Sequence, residues 1–172
     1  MVDNENMLKT AKKRVFLAVV AGILLSLICP SQAFSQWNPS EKTLNKAENT
    51  LRQFFNESIK KSAIDLNVNY YEISQSDSVV GYACIQQAPS KHDKFDFLAI
   101  YSPCMKLQKL RVLTYRENYG GEIANKRWLK QFLSRKTDDI QAISGATISV
   151  ESMKMAVVSL TEKMKNWQKS QL

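Results

Sequence analysis

Ser144-Gly145-Ala146-Thr147-Ile148-Ser149 stands directly before a stretch in which Met153, Ala156, Val157, Leu160 and Met164 recur at helical spacing. That spacing predicts a helix over residues 148–168, with the Ser/Gly/Thr run as the loop that enters it. First-turn N–H groups of a helix lack intrahelical partners, and the helix dipole favours negative charge there, so such an end suits a phosphate. Gly145 and Ala146 carry little bulk, so a ligand can approach backbone closely. On physics alone the run reads as a phosphate-binding or phosphoester site, or as a plain capped helix start.

Working outward, the chain supplies a sheet in front of this helix. Residues 79–87 and 95–102 are rich in Val, Ile, Phe and Tyr, with a polar loop containing Pro89 and Ser90 between them. Residues 68–73 and 110–115 read as further extended segments. Asn38-Pro39-Ser40-Glu41 has the form of a helix start, with Asn38 as cap, Pro39 at the first helical position and Glu41 closing a capping box. Leu44, Ala47, Leu51, Phe54, Phe55 and Ile59 carry that helix to about Lys60. After Tyr119-Gly120-Gly121 a helix over residues 124–134 is predicted to bury Trp128, Leu129 and Phe132. A small antiparallel sheet flanked by helices makes the fold class α+β.

The N-terminus carries a different signal. Lys12, Lys13 and Arg14 precede an apolar run from Val15 to Cys29, and Ser31 and Ala33 suit a cleavage site after Ala33. About 15 apolar residues are short of the roughly 20 that span a bilayer, so residues 1–33 read as a signal peptide, with a retained anchor as the alternative. Either way residues 34–172 form one domain, expected on the extracytoplasmic (periplasmic) side. Cleavage would remove four basic and two acidic side chains and take the net charge from +8 to +6. A basic exported domain suits an acidic redox partner or an anionic membrane surface, and export argues against nucleic acid.

Chemistry-bearing residues are few. His92 is the only histidine and lies in a polar loop, where it reads as solvated. No zinc spacing, haem signature or nucleophile elbow occurs, and a Ser–His hydrolase is hard to build from one loop histidine. Pairing of the two central runs sets Cys84 opposite roughly residue 98 and Cys104 about 20 Å further along. A disulfide needs Cα atoms within about 7 Å, so both thiols are expected free and largely buried. The methionines read as core filler.

Ser144-Gly145-Ala146-Thr147 followed by Ile148-Ser149 resembles the flavinylation motif of the FMN-binding domain family. That family includes the covalent-flavin subunits of the sodium-pumping NADH:quinone oxidoreductase and of the related ferredoxin:NAD oxidoreductase. A second stretch, Tyr115-Arg116-Glu117-Asn118-Tyr119-Gly120-Gly121-Glu122-Ile123 and then Lys126-Arg127-Trp128-Leu129-Lys130-Gln131-Phe132, resembles the loop and helix on which the family lays the flavin ring. The resemblance covers roughly residues 79–165.

It implies that Thr147 carries FMN through a phosphoester, installed by a flavin transferase with FAD as donor. Ser144, Gly145 and Ala146 would then wrap the phosphate with backbone N–H groups, the alternative being an ordinary turn. Glu117, Asn118 and Tyr119 would contact the ring, with Tyr119 stacking on it or half-buried beside a turn. Gly120 and Gly121 suggest positive φ, close backbone approach or a tight turn. Ser149 reads as a cap. One position departs from the family pattern: Gln141 stands where the motif usually opens with Asp, although Asp138 and Asp139 lie just upstream.

The resulting expectation is an exported electron carrier with covalent FMN. Its partners would be the transferase and a redox partner protein or membrane respiratory complex, and it would not be a free-standing enzyme. Two alternatives stand beside it: a non-flavinylated partner-binding module of the same fold, supported by Gln141, and a small oxidoreductase with non-covalent FMN.

Overall fold

Ser40, two residues after the expected cap, starts the first helix. Its Oγ accepts a bond from the Thr43 N–H at 3.3 Å, and α1 runs Glu41–Phe55. The computed structural model describes residues 37–56, 58–64 and 69–171, so the expectations for residues 1–33 and for Val68 lie outside the described residues. α1 ends before Lys60, because Asn56 takes φ +67° and leaves the helical region. The chain then forms a strand that the hydrophobic pattern does not announce, β1 (Lys60–Ala63), exposed along its whole length.

Four further strands follow: β2 (Tyr70–Gln75), β3 (Ser78–Pro89), β4 (Lys94–Tyr101) and β5 (Leu107–Thr114). They form an antiparallel meander in the order β1-β2-β3-β4-β5. Ser76 and Asp77, both at positive φ, make the tight turn between β2 and β3, as the right-handed twist of a hairpin requires. Cys84 pairs with Ala99, one residue from the expected register.

The last helix, α4 here, runs Thr147–Ser170; the two short helices before it, α2 (Lys126–Leu129) and α3 (Gln131–Ser134), follow a 3-10 turn at Gly121–Ala124. The single helix expected over 124–134 is therefore broken. Asn125, in extended conformation, caps α2 by accepting from the Arg127 N–H at 2.8 Å, which restarts the helix after the 3-10 turn.

α4 lays Val150, Met153, Val157, Leu160 and Met164 on one sheet face, against Cys84, Phe95, Phe97, Ala99 and Tyr101. Each such side chain contributes about 1.5–3 kcal/mol when fully buried. The opposite face belongs to α1: Asp96, which alternates with Phe95 and Phe97, accepts a bond from Thr43 Oγ1. On the same face Gly81 sits so close to the Phe55 ring that a Cβ would come within 3.0 Å of it. Among the described residues both thiols, Cys84 and Cys104, are free, but only Cys84 is buried; Cys104 is exposed in the turn after β4, against the expectation of two buried thiols. Among the described residues no helix is long and apolar enough to cross a membrane.

Candidate functional site

Thr147 is the first residue of α4, and the helix begins without a side-chain cap at Ala146. The first intrahelical bond runs from the Val150 N–H to the Ala146 carbonyl. The amides of Thr147, Ile148 and Ser149 precede that bond, so the helix itself gives them no acceptor. Just upstream the chain turns sharply: Ala146 N–H donates to the Ile143 carbonyl, and Gly145 takes φ +76°. A Cβ on Gly145 would meet nothing within 4 Å, so its positive φ alone calls for glycine there, and space lies open over the turn. Thr147 and Ser144 are exposed.

The second motif folds against this turn. Gly120, at φ +77°, lies so near that a Cβ would approach Ala146 Cβ to 2.6 Å and Tyr115 Oη to 3.0 Å. Gly121 begins the 3-10 turn in open space. Tyr115 Oη donates to the Tyr119 carbonyl at 3.0 Å and lies 3.2 Å from Ser149 Oγ. Ser149, third in the helix and buried, thus ties the two segments together and is not the helix cap.

Between them opens a cleft of about 600 Å³. Its walls are Tyr115, Glu117, Asn118 and Tyr119 on one side, residues 145–149 on another, and Lys91 and His92 on a third. Ser144, Gly120 and Gly121 do not line it. Tyr119 is 81% exposed, an aromatic face held at the rim. His92 is exposed.

Glu117 holds the third wall in place. Its Oε1 accepts from the His92 N–H (2.6 Å), Ser90 Oγ (2.7 Å) and the Asp93 N–H (3.1 Å). These bonds, the one from His92 foremost, hold its carboxyl below the usual carboxylate range. The root of the same loop is clamped by Arg116, which grips buried Asp96 through both carboxylate oxygens at 2.6 and 3.1 Å and donates to the Lys94 carbonyl. Asp96 raises the Arg116 pKa in return, chiefly through that hydrogen bond. The sequence alone does not point to Lys91 and His92, because the pairing of β3 with β4 and the Glu117 bonds bring their turn to the cleft that Thr147 also lines.

Gln141 faces elsewhere. Its carbonyl accepts from Trp128 Nε1 at 2.8 Å and its N–H donates to Gln131 Oε1 at 3.1 Å, beside a neighbouring cleft that also contains Arg127 and Arg135. Asp138 lines a further cleft with Glu151 and Lys154. Among the described residues no cluster of His, Cys, Asp or Glu is arranged to hold a metal ion.

Residues 92–162 match the model of the FMN-binding domain family, a span that contains both the 115–121 loop and the 144–147 turn. No curated protein matches the chain. The cleft suits such a cofactor on its own terms: uncapped helix amides for a phosphate, an exposed aromatic ring for a flat ring system, and a volume within the usual range for ligand sites.

Proposed function

Starting from an FMN-binding domain at residues 92–162, with FMN as its cofactor, we propose that this protein is an exported electron carrier whose FMN is tethered to Thr147 through a phosphoester. The observation that carries this reading is the placement of an exposed threonine hydroxyl at an uncapped helix N-terminus, inside a cleft rimmed by Tyr119. In the attachment step, catalysed by a flavin transferase, Thr147 Oγ displaces AMP from FAD. One P–O bond to the threonine forms, the pyrophosphate bond breaks, and the hydroxyl proton passes to solvent.

FMN, once bound, supplies the one- and two-electron chemistry. The chain's own residues then have distinct tasks. The amides of 147–149 would face the cofactor's phosphate, and Gly145 keeps the approach free of side chains. Glu117 and Arg116 fix the loop that carries Asn118 and Tyr119. Lys91 at the cleft wall would set a positive charge beside a bound flavin. The basic, then apolar N-terminal segment supports export to the periplasmic side, with a redox partner protein or membrane respiratory complex as the electron source or sink.

Gln141 favours one second reading, a partner-binding module of this fold without covalent flavin. Its side chain lies 3.4 Å from the Gln131 amide and lines a different cleft from Thr147. Intact mass of the protein co-produced with an active flavin transferase separates the two. The expected result is a gain of one FMN less one water, abolished by Thr147→Ala. An unmodified mass, with the transferase active on a control substrate, overturns the tethered carrier, and recovery of modification by Gln141→Asp would assign the loss to that position.

A further inference from the structure

β5 is the last strand of the sheet, and no strand among the described residues pairs with its outer side. That edge runs along a groove of about 460 Å³ between the end of α1 and the α2–α3 segment. Four cations line the groove: Lys109, Arg111, Lys126 and Lys130. Among the described residues no carboxylate lines it, and none of the four cations forms an ion pair. Lys109 is held with Nζ 5.2 Å from the centre of the Phe54 ring, and Arg111 donates to the neutral hydroxyl of Thr50 at 2.8 Å. The cost of this crowding shows at Lys109, whose pKa is lowered by burial first and then by Arg111 and Lys126. An arriving carboxylate would relieve it.

The strand itself specifies the shape of the occupant. Lys109-Leu110-Arg111-Val112 alternates cation with apolar side chain. In the sheet Lys109 and Arg111 oppose Ile100 and Leu98, on the α1 face, while Leu110 and Val112 oppose Ala99 and Phe97, on the α4 face. A strand added to this edge therefore meets positive charge on one face and hydrocarbon on the other. A second copy of the chain would bring the same cations against themselves on a molecule of net charge +8. An anionic membrane needs cations projecting from a flat or convex face, whereas these line a hollow beside unpaired main chain.

We propose that the outer edge of β5 is a strand-addition site for an acidic segment of a partner protein, in which carboxylates alternate with apolar side chains. The partner's main chain pairs with residues 108–112, its carboxylates face Lys109 and Arg111, and its apolar side chains join Leu110 and Val112. The site stands whether or not Thr147 carries flavin.

The test is a titration of the isotope-labelled full chain with a synthetic eight-residue peptide alternating Glu and Val, followed by amide resonances and hydrogen exchange. The expected result is slowed exchange of amides within 108–112, no binding by the Lys/Val counterpart, and about a tenfold rise in Kd for the double variant Lys109→Glu, Lys126→Glu. Should that variant fail to fold, a Glu/Val peptide N-methylated along its pairing edge does the same work on the unaltered chain, and it should not bind. Equal binding by the N-methylated peptide, unprotected β5 amides, or association with phosphatidylglycerol vesicles in place of the peptide would each overturn the proposal.

Discussion

Under α4 the sheet offers Phe95, Phe97 and Tyr101 to Val150, Met153 and Leu160, joined mainly by hydrocarbon contact, with the Tyr101 hydroxyl on Thr161, Cys84 Sγ on Met164 Sδ and the Gln168 amide on the Pro103 carbonyl as directional additions. Under α1 the sheet buries Ile85, Leu98 and Ile100 as well, and adds Asp96 and Arg111, which the helix answers with Thr43 and Thr50 through hydrogen bonds. Apolar contact is non-directional, so the α4 face supplies stability without fixing the helix along its axis. Hydrogen bonds fix direction and register but contribute only about 1 kcal/mol each on balance. The helix that carries Thr147 is thus the one held less directionally, and its first turn is set by contacts at its tip: Gly120 against Ala146, and Tyr115 against Ser149.

That contrast can be broken most forcefully on the apolar side. Phe97→Ala should cost about 4 kcal/mol in urea unfolding, because it empties a fully buried aromatic site under α4. On the α1 face, Arg116→Met should cost about 3 kcal/mol, since it leaves the Asp96 carboxylate buried with only Thr43 and Gln87 as donors. A loss below 1 kcal/mol would mean that those two donors suffice.

At the tip, Gly120→Ala should cost about 2 kcal/mol, from a left-handed φ and the clash with Ala146. The same change should lower FMN loading at Thr147, read by intact mass, while far-ultraviolet circular dichroism stays unchanged.

The smallest effect lies in the cleft wall. Glu117 has a lowered pKa in the folded state, so its contribution is full above the ordinary value of 4.5 and is lost as pH falls through the folded value. Acidification below pH 4.5 should therefore free the 90–93 turn, seen as moving amide resonances of His92 and Asp93, with little change in global unfolding. Glu117→Gln should abolish that transition.

The parts of this arrangement that sequence could reveal are those with periodic or local signals. The α4 stripe, the β3–β4 pair within one residue of register, and the two glycine-containing segments are all legible in residues 79–165. β1 is not, because Lys60–Ala63 is exposed on both sides and shows no apolar alternation. The end of α1 depends on one residue, Asn56, taking a left-handed φ where apolar spacing runs on to Ile59. The break before α2 is set by the Asn125 cap, which competes with a continuous apolar pattern. Within the candidate cleft, Thr147 and the 117–119 loop carry a local sequence signal. The roles of Ser149, Lys91 and His92 arise from bonds and walls between segments distant in sequence, which no local pattern encodes.

The two thiols among the described residues differ in a way that makes them a built-in clock. Cys104 is open to solvent, whereas Cys84 is wholly enclosed, its Sγ 3.5 Å from Met164 Sδ. Burial pushes the Cys84 thiol far above its ordinary pKa, so hardly any reactive thiolate exists in the folded state. A maleimide pulse should mark Cys104 at once and Cys84 only when α4 lifts from the sheet. The interval between the two labels then times the opening of the helix that begins at Thr147, without any engineered probe.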